Sequence, residues 1–162
     1  MASKAIRNGV LSLRIFTLLA LAASIVLMAL NNFDNVDGSK TNFTDLIAYR
    51  YVVAAAGIGF VYTLIQIPFA IYNVVKEKRL IRNGWLQVFD FYGDKVVAFL
   101  LATGVGVGFG VSFELKRGSG DSKKFLNRGN ISTGLLFVGF VYMAFLSIFS
   151  SIRFSSSKGF FK

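Results

Sequence analysis

Four long apolar stretches alternate with polar segments along this 162-residue chain. Residues 10–30 are interrupted only by Arg14, and residues 47–75 carry Gln66 and Pro68. Residues 94–113 open on Asp94 and Lys95 and then run without a charge from 96 to 113, and residues 131–152 close the series. A helix rises 1.5 Å per residue, so about 20 residues cross a hydrocarbon core roughly 30 Å thick. Each stretch reaches that length, and none shows the ten-residue alternation of a barrel strand. The pattern predicts an all-α membrane protein: one domain, 1–162, forming a four-transmembrane-helix bundle with spans near 10–30, 47–75, 94–113 and 131–152. Pro68 lacks an amide proton, so a kink near Gln66 is expected in the second span. A signal peptide is the competing reading of the first stretch. The run exceeds a typical signal core and no small-x-small cleavage site closes it, so we read it as a span.

The intervening segments set the orientation. Residues 31–46 form a polar, acidic loop, 76–87 a basic loop containing Trp85, 114–130 a polar segment, and 153–162 a Ser-rich basic tail. Four spans put both termini on one side. The termini and the middle loop hold nine lysines and arginines against seven in the two other loops with Arg50 at the adjoining start of the second stretch, and Arg14 and Lys95 lie near span ends on the first side. The positive-inside rule therefore predicts cytosolic termini.

Composition narrows the chemistry. Hydrophobic residues make up 54% of the chain, and its mean hydropathy is +0.60, both outside the ordinary range for a soluble domain. There is no cysteine and no histidine. Disulfides, thiolate zinc sites, thiol nucleophiles, palmitoylation, imidazole haem ligation and His-dependent triads are thereby excluded. The expectation is a protein that is not an enzyme and needs no cofactor or metal. The formal charge of +10 comes from basic residues placed between apolar runs, which points to topology and anionic lipid rather than to nucleic acid.

Two charges stand inside the apolar runs. Arg14 lies about four residues, roughly 6 Å, inside the N-terminal end of the first span, and Asp94 opens the third span, which runs in the same direction. They share a depth. An isolated Arg or Asp at a helix centre costs about 3 kcal/mol on insertion scales, which pairing relieves in part. The pair reads as a structural tie that fixes helix register, or as part of a proton or ion relay; we favour the tie. Lys95 points to another face and is expected to reach the headgroups.

Gly104, Gly106, Gly108 and Gly110 do not make a phosphate-binding G-x-G-x-x-G, because Phe109 and Val111 occupy the third-glycine positions. They make two overlapping G-x-x-x-G pairs, Gly104 with Gly108 and Gly106 with Gly110. Successive glycines are about 200° apart around a helix, so the pairs lie on roughly opposite faces. One face is suited to packing within the bundle and the other to a second copy, unless both pack internally. Ala55 and Gly59 offer a matching small surface. Lys76, Lys78, Arg79 and Arg82 form a basic cluster read as a topogenic loop or as an anionic-lipid contact. Asn42 and Asn130 head glycosylation sequons in the loops assigned outside, each close to a span; such triplets also arise by chance. Ser155 to Ser157 lie in the tail, read as a solvated terminus.

The arginine in LRIFTLLALAASIVLMA, the span YRYVVAAAGIGFVYTLIQIPFAIY, the aspartate of GDKVVAFLLATG and the segment KFLNRGNISTGLL occur in an order and spacing that resembles a plant family. This is the Casparian strip membrane domain proteins and their CASP-like relatives, related to the MARVEL tetraspans. The resemblance covers nearly all of residues 7–155. It implies a multi-pass plasma-membrane protein with cytosolic termini that forms homo-oligomers, and hetero-oligomers with related tetraspans, with Arg14 and Asp94 at the family's marked positions. The first loop lacks the Phe-rich stretch of the strip-building members, so the likeness is to the CASP-like branch. The functional expectation is a self-associating membrane scaffold. The alternative is a small transporter or channel using Arg14 and Asp94.

Overall fold

The structure, a computed structural model, describes residues 4–34, 40–42, 46–75, 85–118 and 123–158. Four helices dominate: α1 (Lys4–Ala29), α2 (Ile47–Val75), α3 (Trp85–Gly118) and α4 (Lys123–Lys158). Between α1 and α2, β1 (Asn32–Asp34) pairs antiparallel with β2 (Lys40–Asn42), Phe33 opposite Thr41. Each helix contains a segment long and apolar enough to cross a membrane: Ala5–Ala29, Ile47–Tyr72, Val88–Glu114 and Leu126–Ile152.

The helices outrun the apolar stretches. α3 begins at Trp85, well before Asp94, and ends at Gly118, while α4 begins at Lys123. Residues 114–130, expected as a polar segment, are therefore largely helical. The reason is physical: hydropathy marks where a chain meets hydrocarbon, whereas Glu, Leu, Lys and Arg continue a helix into the polar zone at no propensity cost. α2 runs unbroken through Pro68, which sits on the exposed face.

α1 packs against α2 and α4, and α3 packs against the same two, so the four form a ring with α1 and α3 on one diagonal. Their buried positions repeat at alternating steps of three and four. On α1 they are Val10, Arg14, Thr17, Leu21, Ser24 and Met28, and on α2 Val52, Ala56, Gly59, Thr63, Gln66 and Ala70. That spacing is the seam of left-handed helix packing.

The seam mixes polar with apolar side chains, and the outer surface is more apolar than that of a water-soluble bundle. Thr17, Ser24, Thr63, Ser132 and Thr133 are buried, while Phe16, Leu19, Ile58, Phe99, Phe113 and Phe145 face outward. Lipid tails solvate the outer residues, so packing and interhelical hydrogen bonds take over inside. Most inner hydroxyls bond their own helix: Thr17 donates to Leu13 O at 2.7 Å, Thr63 to Gly59 O at 2.8 Å and Thr133 to Gly129 O at 2.8 Å. Ser24 and Ser132 instead tie α1 to α4 reciprocally, each hydroxyl donating to the other's carbonyl at 2.9 and 2.8 Å. This tie joins the C-terminal half of α1 to the N-terminal half of α4, as antiparallel neighbours require. At the end of α1, Arg128 Nη1 donates to Leu30 O at 3.2 Å and satisfies a carbonyl that the helix leaves over.

Candidate functional site

Among the described residues, the buried charges lie near the end where α1 begins. Arg14 projects from α1 with 2% of its surface exposed, and Asp94 from α3 with none. Arg14 Nη2 lies 3.5 Å from each Asp94 carboxylate oxygen and 3.9 Å from Asp90 Oδ1. Asp90 and Asp94 are one turn apart, so a single face of α3 presents both carboxylates to one guanidinium.

α2 supplies the next layer through another pair one turn apart. Tyr62 Oη donates to Asp94 Oδ1 at 2.8 Å, and Gln66 Nε2 donates to Tyr62 Oη at 3.1 Å. Ser150 of α4 lies beside the same carboxylate, with its hydroxyl donating to Ser147 O at 3.0 Å. All four helices thus meet at one carboxylate. Gly93 makes the approach of Tyr62 possible, because a Cβ there would fall 2.6 Å from Tyr62 Oη and 2.7 Å from its ring. Arg14 Nη1, by contrast, is buried with no protein acceptor.

The sequence alone does not point to Asp90, Tyr62 or Gly93. The i, i+4 spacing of the two aspartates was a usable signal; nothing in the sequence linked Tyr62 to Asp94. Lys95 lies with Nζ 3.4 Å from the centroid of the Phe91 ring, one turn back toward the helix start. Phe91 in turn stacks on Phe154 of α4 at 4.6 Å.

The four glycines separate into two environments. A Cβ on Gly104 would lie 3.1 Å from Ala55 Cβ and 3.1 Å from Leu136 Cδ2, and one on Gly108 would lie 2.5 Å from Thr133 Oγ1 and 3.1 Å from Val52 Cγ2. These two are wedged between α2 and α4. Gly106 and Gly110 are exposed, and a Cβ on either would meet nothing within 4 Å. Thr103 and Phe113 continue that outward stripe. Gly59, one turn beyond Ala55 on α2, receives Leu101 and Leu21, each 3.1 Å from the place of its Cβ.

The remaining candidates contribute no geometry. Lys76, Lys78, Arg79 and Arg82 lie outside the described residues, and so does the side chain of Asn42, whose backbone pairs with Asn32. Asn130 is on α4 rather than in a loop, and Ser132 of its sequon is fully buried against Ser24. That arrangement is unlike the exposed loop a glycosylation acceptor occupies. Among the described residues no group of three or more acidic side chains converges as a metal site would require.

The Casparian strip membrane protein domain matches residues 3–142. CASP-like protein 4D1 of Ricinus communis is 42% identical over 156 residues, covering 92% of each chain. CASP-like protein 4D1 of Glycine max is 37% identical over 90% of this chain and 86% of its own length. CASP-like protein 4D2 of Arabidopsis thaliana is 37% identical over 87% and 86%. No solved structure matches the chain significantly. With the four-span architecture and the match running through every helix, the chain belongs to the Casparian strip membrane protein domain family.

Proposed function

We propose that this protein is a non-enzymatic scaffold of the plasma membrane, with both termini cytosolic, that associates laterally with copies of itself and with related tetraspans. The observation that carries this reading is the division of the α3 glycines. Gly104 and Gly108 are consumed by packing inside the bundle, whereas Gly106 and Gly110 leave a shallow, unfilled trough on its lipid-facing side. Small residues let two backbones approach closely, and such approach is a main source of helix association where lipid offers no hydrophobic driving force. In this account the Arg14–Asp94 pair fixes the register of the four helices so that the trough is presented in one geometry. The basic cluster Lys76, Lys78, Arg79 and Arg82 contacts anionic lipid on the cytosolic side.

The transporter or channel reading draws on the same charges, but they do not continue inward. Two turns beyond Arg14 and Asp94, about 10 Å along their helices, Leu21 and Leu101 are fully buried and meet over Gly59. An apolar plug at that point suits a static bundle. Purification in mild detergent followed by mass measurement tests the scaffold reading. It predicts species larger than one 17.8 kDa chain, accompanied by related four-span proteins. A uniform single chain without companions, together with ion or proton flux in proteoliposomes that Asp94→Asn abolishes, would replace it with the transporter reading.

A further inference from the structure

We infer that the cleft between α1, α2 and α3 beside Arg14 is a hydration site: a water molecule completes the Arg14 guanidinium, and the cleft opens to solvent only at the end where α1 begins. Three observations lead there. Arg14 is 2% exposed, yet its Nη1 has no protein acceptor. An orphaned charged donor in a membrane interior is strongly unfavourable, so something must accept from it. Next, the cleft that Arg14 lines has a cavity volume of about 20 Å³. That exceeds the 10–15 Å³ or so that one water needs. Finally, Gln66 and Asp90 line the same cleft, with Val10 and Ala70 as its apolar walls. A bound water needs two to four polar partners, and these side chains supply them.

Charge decides between water and an anion of similar size. Arg7 and Asp90 line the cleft with Arg14, and Asp94 stands directly behind it. Two positive and two negative formal charges balance, so no net field favours an anion, whereas a water molecule accepts from Arg14 and donates to Asp90. Leu21 and Leu101 close the path inward. The result is a one-sided aqueous recess that lets a charge pair sit in the membrane at reduced desolvation cost. This inference concerns the charge cluster alone and stands whether or not the chain self-associates.

The chain contains no cysteine, so single thiols can be placed without background. Ala70→Cys and Val10→Cys put a thiol on either wall of the cleft, and Ala20→Cys puts one in the core near the Leu21 plug. Each variant, reconstituted in neutral-lipid and in anionic-lipid vesicles, is exposed to a small charged thiosulfonate reagent applied to one face at a time. The expected result is modification of the two cleft thiols about tenfold or more faster than the Ala20→Cys thiol, from the terminal face only, at rates independent of lipid charge and of chloride. Using two wall positions guards against one variant failing to fold, and monodisperse elution reports folding for each. Folded variants whose cleft thiols react no faster than Ala20→Cys would overturn the inference. Protection that appears only in anionic lipid, or only in chloride, would overturn it in favour of a lipid headgroup or a halide. As a direct readout, water-edited solid-state NMR of arginine-labelled protein should show rapid magnetisation transfer from water to the Arg14 guanidinium. Transfer as slow as to the side chain of Leu101 would contradict the site.

Discussion

Gly104 and Gly106 stand two residues apart on one helix and meet opposite surroundings. A Cβ on the first would press within 3.1 Å of Ala55 and Leu136, whereas a Cβ on the second would meet nothing within 4 Å. The helical repeat turns a run of alternating glycines into one internal and one external surface. The internal surface is tightest at Gly108, where the Thr133 hydroxyl already donates to Gly129 O at 2.8 Å and has little freedom to retreat.

Substitution to alanine should therefore separate the two faces. Gly108→Ala should destabilise the bundle by about 1–3 kcal/mol, the usual cost of overpacking, read as a lower midpoint in detergent-solubilised thermal unfolding. Gly106→Ala should leave that midpoint unchanged, or raise it slightly through the better helix propensity of alanine. Equal effects at the two positions would mean that the faces are not distinct.

The Arg14–Asp94 pair is buried, so losing one partner strands the other. Arg14→Ala and Asp94→Ala should each destabilise by about 3–5 kcal/mol. Arg14→Leu combined with Asp94→Leu should be markedly less harmful than the sum of the two single leucine changes, because no orphan charge remains. Asp90 lies 3.9 Å from the same guanidinium, and Asp90→Asn should cost less than Asp94→Asn. A double-mutant cycle in denaturant unfolding checks the set; strict additivity would show that the two side chains do not interact.

Tyr62 contributes a hydrogen bond to a charged acceptor. Tyr62→Phe should cost about 1.5–3 kcal/mol, since Asp94 Oδ1 loses its 2.8 Å donor and Gln66 Nε2 its acceptor. Gly93→Ala acts on the same contact by pushing the ring away from α3. The two changes combined should fall short of their sum in the same unfolding assay.

The Ser24–Ser132 tie should matter less than its reciprocal geometry suggests. Interhelical hydrogen bonds in membranes average about 0.6 kcal/mol, because the separated helices find other partners. Ser24→Ala should stay under about 1 kcal/mol, whereas Ser132→Leu, which forces a branched side chain between α1 and α4, should cost several times more.

Much of this was legible in the chain. Four apolar runs mark the four helices because hydrocarbon thickness sets their length. Counted from the span ends, Arg14 and Asp94 stand at one depth, and their side chains lie 3.5 Å apart. The opposition of the glycine pairs followed from 100° per residue. Helix ends were not legible, since polarity at Trp85 or Lys123 signals departure from lipid and not departure from helix. Tyr62 and Gly93 were invisible for a different reason. Their roles depend on which turn of α2 faces which turn of α3, and a tyrosine in an apolar run reads the same whether it meets lipid or a carboxylate. The β1–β2 pairing is too short to produce a readable alternation.

The central proposal is that the open glycine face mediates lateral assembly. Its most direct test is chemical crosslinking in native-like bilayers of the unaltered chain against a variant carrying Gly106→Leu and Gly110→Leu. Both positions are exposed and free of neighbours, so the variant should fold with an unchanged thermal midpoint. We predict that it loses most of the crosslinked dimer and higher species formed by the unaltered chain. Undiminished crosslinking by the folded variant would contradict the account.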